Sequence, residues 1–147
     1  MRDHPKTRFI WCHGGISRRI EIPSLTQDLE AMLRKYPNLH IDISWVVYET
    51  NLLKSGTPDP KWIQLIEQFP DRFIIGSDKV GHFADYPQEI LKYNKFLDTL
   101  KPETAAKVAR ENLLSVLPKS SARLTAEETA SINGGMPGGV EMLKGKN

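Results

Sequence analysis

Three short apolar runs recur at one spacing, and this repeat limits the fold more than any other feature of the sequence. The runs cover residues 7–12, 39–47 and 71–76, and their Ile, Phe, Trp and Val content predicts buried strands. A step of 32 residues leads from Arg8 to His40, and the same step leads from His40 to Arg72. A regular period of this size predicts a repeated unit of supersecondary structure.

Helical patterns fill the intervals between these runs. Ser24 and Gln27 resemble a capping box, followed by apolar residues at helical spacing, which are Leu25, Leu29, Met32, Leu33 and Tyr36. Asp59 and Pro60 have the residue types of an N-cap and a first helical position. A further helical pattern covers residues 90–100. Pro102 opens another, with a predicted inner side of Ala105, Val108, Ala109, Asn112, Leu113, Val116 and Leu117.

Alternating strands and helices predict an α/β fold with a parallel sheet and right-handed connections. In such sheets the chemistry lies beyond the carboxyl ends of the strands. The first predicted strand leads to His13, the second carries Asp42 and Ser44, and the third leads to Ser77 and Asp78. We therefore expect these polar side chains to meet at one rim of the sheet.

Charge and cysteine content limit the partners and sites that we expect. The 20 basic and 18 acidic residues give a net charge of +2, which provides no reason to expect nucleic acid or a membrane surface as partner. The single cysteine, Cys12, excludes an internal disulfide and a multi-thiolate zinc site, and its apolar surroundings predict a buried, inert thiol. The polar N-terminal residues do not resemble a secretory signal, so the expected location is cytoplasmic unless a signal precedes this sequence.

The composition changes after residue 117. Residues 118–147 contain few large apolar side chains and two glycine pairs. We predict a domain over residues 1–117 and a flexible tail over residues 118–147.

His13 and Asp78 are the candidate catalytic residues. Imidazole nitrogen and carboxylate oxygen suit zinc or another divalent transition metal, and such a metal lowers the pKa of bound water to about 7. Gly14 and Gly15 would let backbone or substrate approach His13 closely. The residues alone leave a structural alternative open, with a hydrogen-bonded histidine at a strand end and an aspartate in a turn.

The ordered motifs WCHGG, YPNLHIDIS, FPDRFIIGSD and ARENLLSVL resemble the last third of amidohydrolase-family enzymes. The resemblance covers residues 7–117 and is to the subgroup with aminocarboxymuconate-semialdehyde decarboxylase and aromatic-acid decarboxylases. It implies a TIM-like (β/α)₈ metal-dependent hydrolase barrel of which this chain supplies the units of strands six, seven and eight.

Site residues follow from the resemblance position by position. His13 corresponds to the histidine that ends strand six, which contacts substrate or hydroxide and ligates a second metal in two-metal relatives. Asp78 corresponds to the aspartate that ends strand eight, which ligates the metal and transfers a proton. Asp42 and Asn112 correspond to positions whose roles we take as structural.

The loop after Asp78 departs from the family pattern, so the substrate cannot be inferred from relatives. Lys79 and His82 in that loop are candidate substrate-binding residues. Arg18 and Arg19, which follow His13, are further candidates because guanidinium groups bind carboxylates well. A small substrate that could carry a carboxylate is therefore expected, and its conversion would be hydrolysis or non-oxidative decarboxylation.

The resemblance implies that the principal metal ligands are a His-X-His pair at the end of strand one and a histidine at the end of strand five. No His-X-His pair occurs in this sequence, so these ligands are missing. A full barrel also needs about 250 residues. We therefore expect an incomplete C-terminal portion of a barrel that is inactive alone, with zinc favoured over manganese and further ligands supplied from outside this chain. Self-association into a homo-oligomer could cover the exposed sheet edges.

Two other functions stay open. The chain could be a non-catalytic α/β module that binds an anion at His13, Gly14 and Gly15, although its glycines match neither common phosphate-binding fingerprint. It could also be a degenerate remnant of an enzyme without activity.

Overall fold

A computed structural model describes residues 1–16, 22–81 and 83–117. The predicted tail, residues 118–147, lies outside the described residues. The strands of the described part are β1 (Phe9–Trp11), β2 (Leu39–Asp42), β3 (Leu53–Lys54), β4 (Thr57–Pro58) and β5 (Phe73–Ile74). Strands β1, β2 and β5 form a parallel sheet in that order, while β3 and β4 form a small antiparallel hairpin. The mixed α/β architecture with a parallel sheet is confirmed.

The pairing register agrees with the sequence repeat for one pair of strands and differs for the other. Ile41 of β2 pairs with Phe73 of β5, a step from residue 41 to 73 that equals the predicted 32. Phe9 of β1 pairs with Leu39 of β2, a step from residue 9 to 39 that is two residues shorter. A difference of two residues keeps every side chain on its face of the sheet, because side chains alternate with a period of two.

The strands are shorter and less uniformly buried than the apolar runs predicted. The second run leaves the sheet after Asp42, and Trp45 within it has a positive φ of 59°. Strand β1 lies at the sheet edge, so Ile10 and Trp11 are 43% and 39% exposed. Cys12 is exposed in the 3₁₀ turn that follows β1, and the prediction of a buried thiol is wrong.

Six α-helical segments accompany the strands in the described ranges: α1 (Leu25–Lys35), α2 (Pro60–Gln68), α3 (Tyr86–Leu91), α4 (Asn94–Leu97), α5 (Pro102–Ala106) and α6 (Asn112–Val116). The apolar faces of α1 and α2 share the core with the strands, through Leu29, Leu33 and Ile66 against Ile41 and Phe73. None of the described helices has both the length and the apolar character of a membrane span.

The helix starts confirm one predicted cap and contradict the other. The Asp59 carboxylate accepts a hydrogen bond from the Lys61 N–H at 2.9 Å, as expected for an N-cap followed by Pro60. Ser24 makes no side-chain cap bond. Its hydroxyl donates to the Asp28 carboxylate at 2.7 Å, and the capping box with Gln27 is wrong.

The C-terminal helices are only partly buried. Val108 and Asn112 are buried, but Ala109, Leu113 and Leu117 are exposed, contrary to the predicted inner side. The Asn112 amide donates to the carbonyls of Pro70 and Phe73 at 2.8 and 2.9 Å, which fixes the polypeptide before β5.

The β3–β4 hairpin was not predicted. It turns at Ser55 and Gly56, whose φ angles are 51° and 77°. A Ser-Gly pair is a turn signal, so the sequence did contain the information.

Candidate active site

The carboxyl ends of β1, β2 and β5 bring the predicted polar side chains together. His13 follows β1, Asp42 ends β2 and Asp78 follows β5. The His13 Nε2 atom lies 3.9 Å from Asp78 Oδ2, and the His13 Nδ1 atom lies 3.6 Å from Asp42 Oδ2. One imidazole therefore lies between two carboxylates.

The backbone at this rim adopts conformations that L-residues rarely take. His13, Trp45 and Asp78 have φ angles of 56°, 59° and 49°, and they are three of the four non-glycine residues with positive φ in the described part of the chain. Such conformations cost about 1–3 kcal/mol each and persist where surrounding structure holds them. Each of the three strands is followed by one of these residues, which redirects a side chain at the rim.

Asp42 is the centre of a hydrogen-bond network. The Ser44 hydroxyl donates to Asp42 Oδ2 at 2.6 Å, and the Ser44 N–H donates to Asp42 Oδ1 at 2.9 Å. The His13 N–H makes a longer bond to Asp42 Oδ2 at 3.4 Å. The His13 Nδ1 atom lies 2.9 Å from Ser44 Oγ. Ser44 therefore links the imidazole to the carboxylate.

Gly76 lets the backbone after β5 approach Asp42. A Cβ atom at this position would lie 3.2 Å from Asp42 Oδ1 and 3.3 Å from Ser44 Cβ. Both distances are tighter than ordinary van der Waals contact, so a larger residue would push against the carboxylate.

An open cleft of about 800 Å³ extends from this rim. Trp45 forms part of its wall together with Asp78, and the Trp45 ring centroid lies 5.0 Å from that of His13 with the planes tilted by 59°. Lys79, Glu89 and Lys92 line the cleft further along.

Lys79 already has two anionic partners. Its ammonium nitrogen lies 3.5 Å from an oxygen of Asp85 and 3.5 Å from an oxygen of Glu89. Glu89 also pairs with Lys92 at 2.7 Å, and the hydrogen bond from Lys92 lowers the pKa of the Glu89 carboxyl. A substrate carboxylate at Lys79 would therefore compete with these groups. The other predicted substrate-binding residues, Arg18, Arg19 and His82, lie outside the described residues.

The nitrogen of His13 and the oxygen of Asp78 are donor atoms that suit a divalent metal, but two donors are too few for a complete site. Two ligands of a tetrahedral zinc ion, each about 2.1 Å from it, lie about 3.4 Å apart. His13 Nε2 and Asp78 Oδ2 are 0.5 Å further apart than this, a difference that a small side-chain rotation removes. Within residues 1–16, 22–81 and 83–117, no group of three or more His, Cys, Asp or Glu side chains could hold a metal ion.

The approach of His13 to Asp78 agrees with the convergence that the strand ends predict. The contact of Ser44 with His13 and the position of Trp45 beyond the end of β2 were not predicted. The available signal was the Asp-X-Ser spacing, because an aspartate two residues before a serine commonly accepts a hydrogen bond from the serine N–H.

A comparison with protein families matches residues 1–118 to the family described as Amidohydrolase. Searches of curated proteins and of solved structures find no significant match. The family match covers all three strands of the parallel sheet together with His13, Asp42 and Asp78. Because it covers 118 of the 147 residues, the chain belongs to the amidohydrolase family.

Proposed function

We propose that the chain forms part of a metal-dependent enzyme that hydrolyses, or non-oxidatively decarboxylates, a small substrate. The observation that carries this proposal is the approach of His13 Nε2 to Asp78 Oδ2 at 3.9 Å beside an open cleft. Membership of the amidohydrolase family supports the reaction class.

His13 and Asp78 would hold the cation through Nε2 and Oδ2. Zinc suits this nitrogen and oxygen pair best, with manganese as the second choice. A bound divalent cation would polarise a substrate carbonyl and make water more acidic. The Asp78 side chain is 43% exposed, so its carboxylate can exchange a proton with a molecule in the cleft. His13 would orient the substrate.

Trp45 and Lys79 suggest which chemical groups the proposed substrate carries. The Trp45 indole offers an apolar wall beside His13, and Lys79 offers a cation that a substrate carboxylate could share with Asp85 and Glu89. Arg18, Arg19 and His82 are retained as proposed substrate-binding residues on the basis of sequence alone.

Further metal donors must come from outside the described residues. Catalytic zinc sites usually have three protein ligands, and this rim supplies two. We propose that the three βα units correspond to strands six to eight of a (β/α)₈ barrel. The isolated chain would then bind metal weakly and lack activity.

Metal binding tests the proposal. A calorimetric titration of the chelator-treated full chain with zinc should show a single binding site. His13→Ala and Asp78→Ala should each weaken binding at least about tenfold, because each removes one of two donors. Asp85→Ala is the matched control, since Asp85 is an exposed carboxylate that pairs with Lys79. Unchanged affinity in both site variants would contradict the proposal.

A further inference from the structure

Asp42 and Ser44 contact His13 on the side of the ring away from Asp78. From these contacts we infer that Asp42 and Ser44 are positioning residues that hold neutral His13 as the tautomer with its proton on Nδ1. The Nε2 atom is then left with a lone pair that faces Asp78. This role goes beyond the structural one that the sequence indicated for Asp42.

The direction of the hydrogen bonds follows from the Ser44 hydroxyl, which carries a single proton. Asp42 Oδ2 lies 2.6 Å from Ser44 Oγ, and a carboxylate oxygen can only accept. The hydroxyl proton is therefore directed to Asp42. Ser44 Oγ must act as the acceptor in its 2.9 Å contact with His13 Nδ1, so that Nδ1 carries the proton.

Ser44 is needed because Asp42 does not reach the imidazole itself. The distance from Asp42 Oδ2 to His13 Nδ1 is 3.6 Å, which is too long for a hydrogen bond. Asp42 acts through the serine, and its own position is fixed by the Ser44 N–H at 2.9 Å and by the close backbone of Gly76.

The tautomer determines what His13 can do on its other side. With the proton on Nδ1, Nε2 and Asp78 Oδ2 are two acceptors that face each other at 3.9 Å. Two such acceptors suit a cation or a hydrogen-bond donor between them. This consequence rests on the proposed function, whereas the tautomer itself does not.

Nitrogen-15 NMR of the metal-free full chain measures the tautomer directly. Long-range proton–nitrogen correlations, recorded at alkaline pH where the imidazoles are neutral, identify which ring nitrogen bears the proton. The chain has four histidines, so the His13 signals are assigned by their loss in His13→Gln. We expect the Nδ1–H form to be the major form of His13 in the wild-type chain.

Two variants test whether Asp42 and Ser44 determine the tautomer of His13. In Asp42→Asn the new amide would donate to Ser44 Oγ, and the serine proton would turn to His13 Nδ1, so the major form should change to Nε2–H. Ser44→Ala removes the acceptor for Nδ1–H and should lower the population of that form. Ser115→Ala is the matched control. The Ser115 hydroxyl donates to the Asn112 carbonyl within α6 at 2.7 Å, and its loss should leave the His13 spectrum unchanged.

A wild-type His13 that is mainly Nε2–H would overturn the inference. So would a predominant Nδ1–H form that persists in both Asp42→Asn and Ser44→Ala. Amide spectra establish whether each variant is folded, and if one variant does not fold, the other alone decides the role of the network. The expected tautomers without any zinc binding would contradict the proposed function alone.

Discussion

Tyr93 stabilises the backbone of the rim through a hydrogen bond from its hydroxyl group. Its side chain is fully buried, and its hydroxyl donates to the Ile43 carbonyl at 2.8 Å. Burial raises the pKa of the Tyr93 phenol far above its ordinary value, so the hydroxyl remains a donor. Because Ile43 lies between Asp42 and Ser44, this bond fixes the backbone that positions both residues.

Removing the Tyr93 hydroxyl should therefore lower the stability of the fold. We expect Tyr93→Phe to lower the free energy of unfolding by about 1–2 kcal/mol, because a buried carbonyl loses its donor. Chemical denaturation measures this loss. Tyr86→Phe is the control, since the Tyr86 side chain is 45% exposed and should tolerate the change. Equal midpoints for the two variants would show that the Tyr93 bond contributes little.

At the scale of residues, the meeting of His13 and Asp78 at one rim could be predicted from the sequence. Strand ends can be found from apolar runs, and parallel strands place their ends together. The positive φ of Trp45 and the exposure of Cys12 could not be predicted. Both depend on how the polypeptide leaves the strand, and this is determined by tertiary contacts that no local propensity encodes.

Among the elements, helix α2 and the β3–β4 hairpin are joined by Asp59. One carboxylate oxygen of Asp59 caps α2 through the Lys61 N–H, and the other lies 3.1 Å from the Lys54 ammonium of β3. Burial alone would raise the pKa of Asp59, but the Lys61 N–H and the Lys54 charge together lower it below its ordinary 3.8. The charged form of Asp59 therefore stabilises the folded state.

This lowered pKa gives the stability a defined pH dependence. The contribution of Asp59 is complete above its unfolded pKa near 3.8 and is lost as the pH falls through the lower folded value. Asp59→Ala should cost about 1 kcal/mol at pH 7 through loss of the cap. Asp59→Asn keeps a capping side chain, but its folding stability should fall less than that of the wild type as the pH is lowered. Thermal melts from pH 2 to 7 measure this difference. The same loss of stability at acid pH in Asp59→Asn and in the wild type would contradict the role of Asp59.

Helices α1 and α2 could be predicted because their apolar residues repeat over several turns. The strands were predicted too long, since an apolar run does not show where pairing stops. Beyond β2, the Ile43 N–H still donates to the Ile74 carbonyl of β5 at 2.9 Å, whereas the polar contacts of Ser44 are with Asp42 and His13 at the rim. The exposed leucines of α6 show the same limit, because periodicity identifies a face without identifying what covers it.

At the scale of the whole molecule, we expect the edge formed by β1 to favour association. Ile10 and Trp11 are exposed there, beside a small apolar groove that Met1 and Met32 also line. An exposed apolar edge strand is a template for pairing with another chain. We therefore expect the average mass of the full chain to rise with concentration in sedimentation experiments.

Ile10→Lys should weaken this association by at least about tenfold, because a charge on an edge strand opposes pairing. Val80→Lys is the control, since Val80 is 90% exposed and lies away from β1 in the sequence. A monomer at all concentrations, or equal effects of the two variants, would exclude β1 as the contact.

The order of elements was predictable at this scale, and closure into a barrel was not. Three strand–helix units follow from the spacing of Arg8, His40 and Arg72, and the structure places the three strands side by side. A three-stranded parallel sheet is common to many α/β folds, so the correspondence with strands six to eight of a barrel stays a prediction.

The close approach of Gly76 to Asp42 links two positions that are 34 residues apart in the sequence. The missing side chain at position 76 leaves the space that the Asp42 carboxylate occupies. We therefore expect variation at the two positions to be linked. A related sequence that acquires a larger residue at 76 must shorten or displace the acid at 42, and the two positions should covary as a pair.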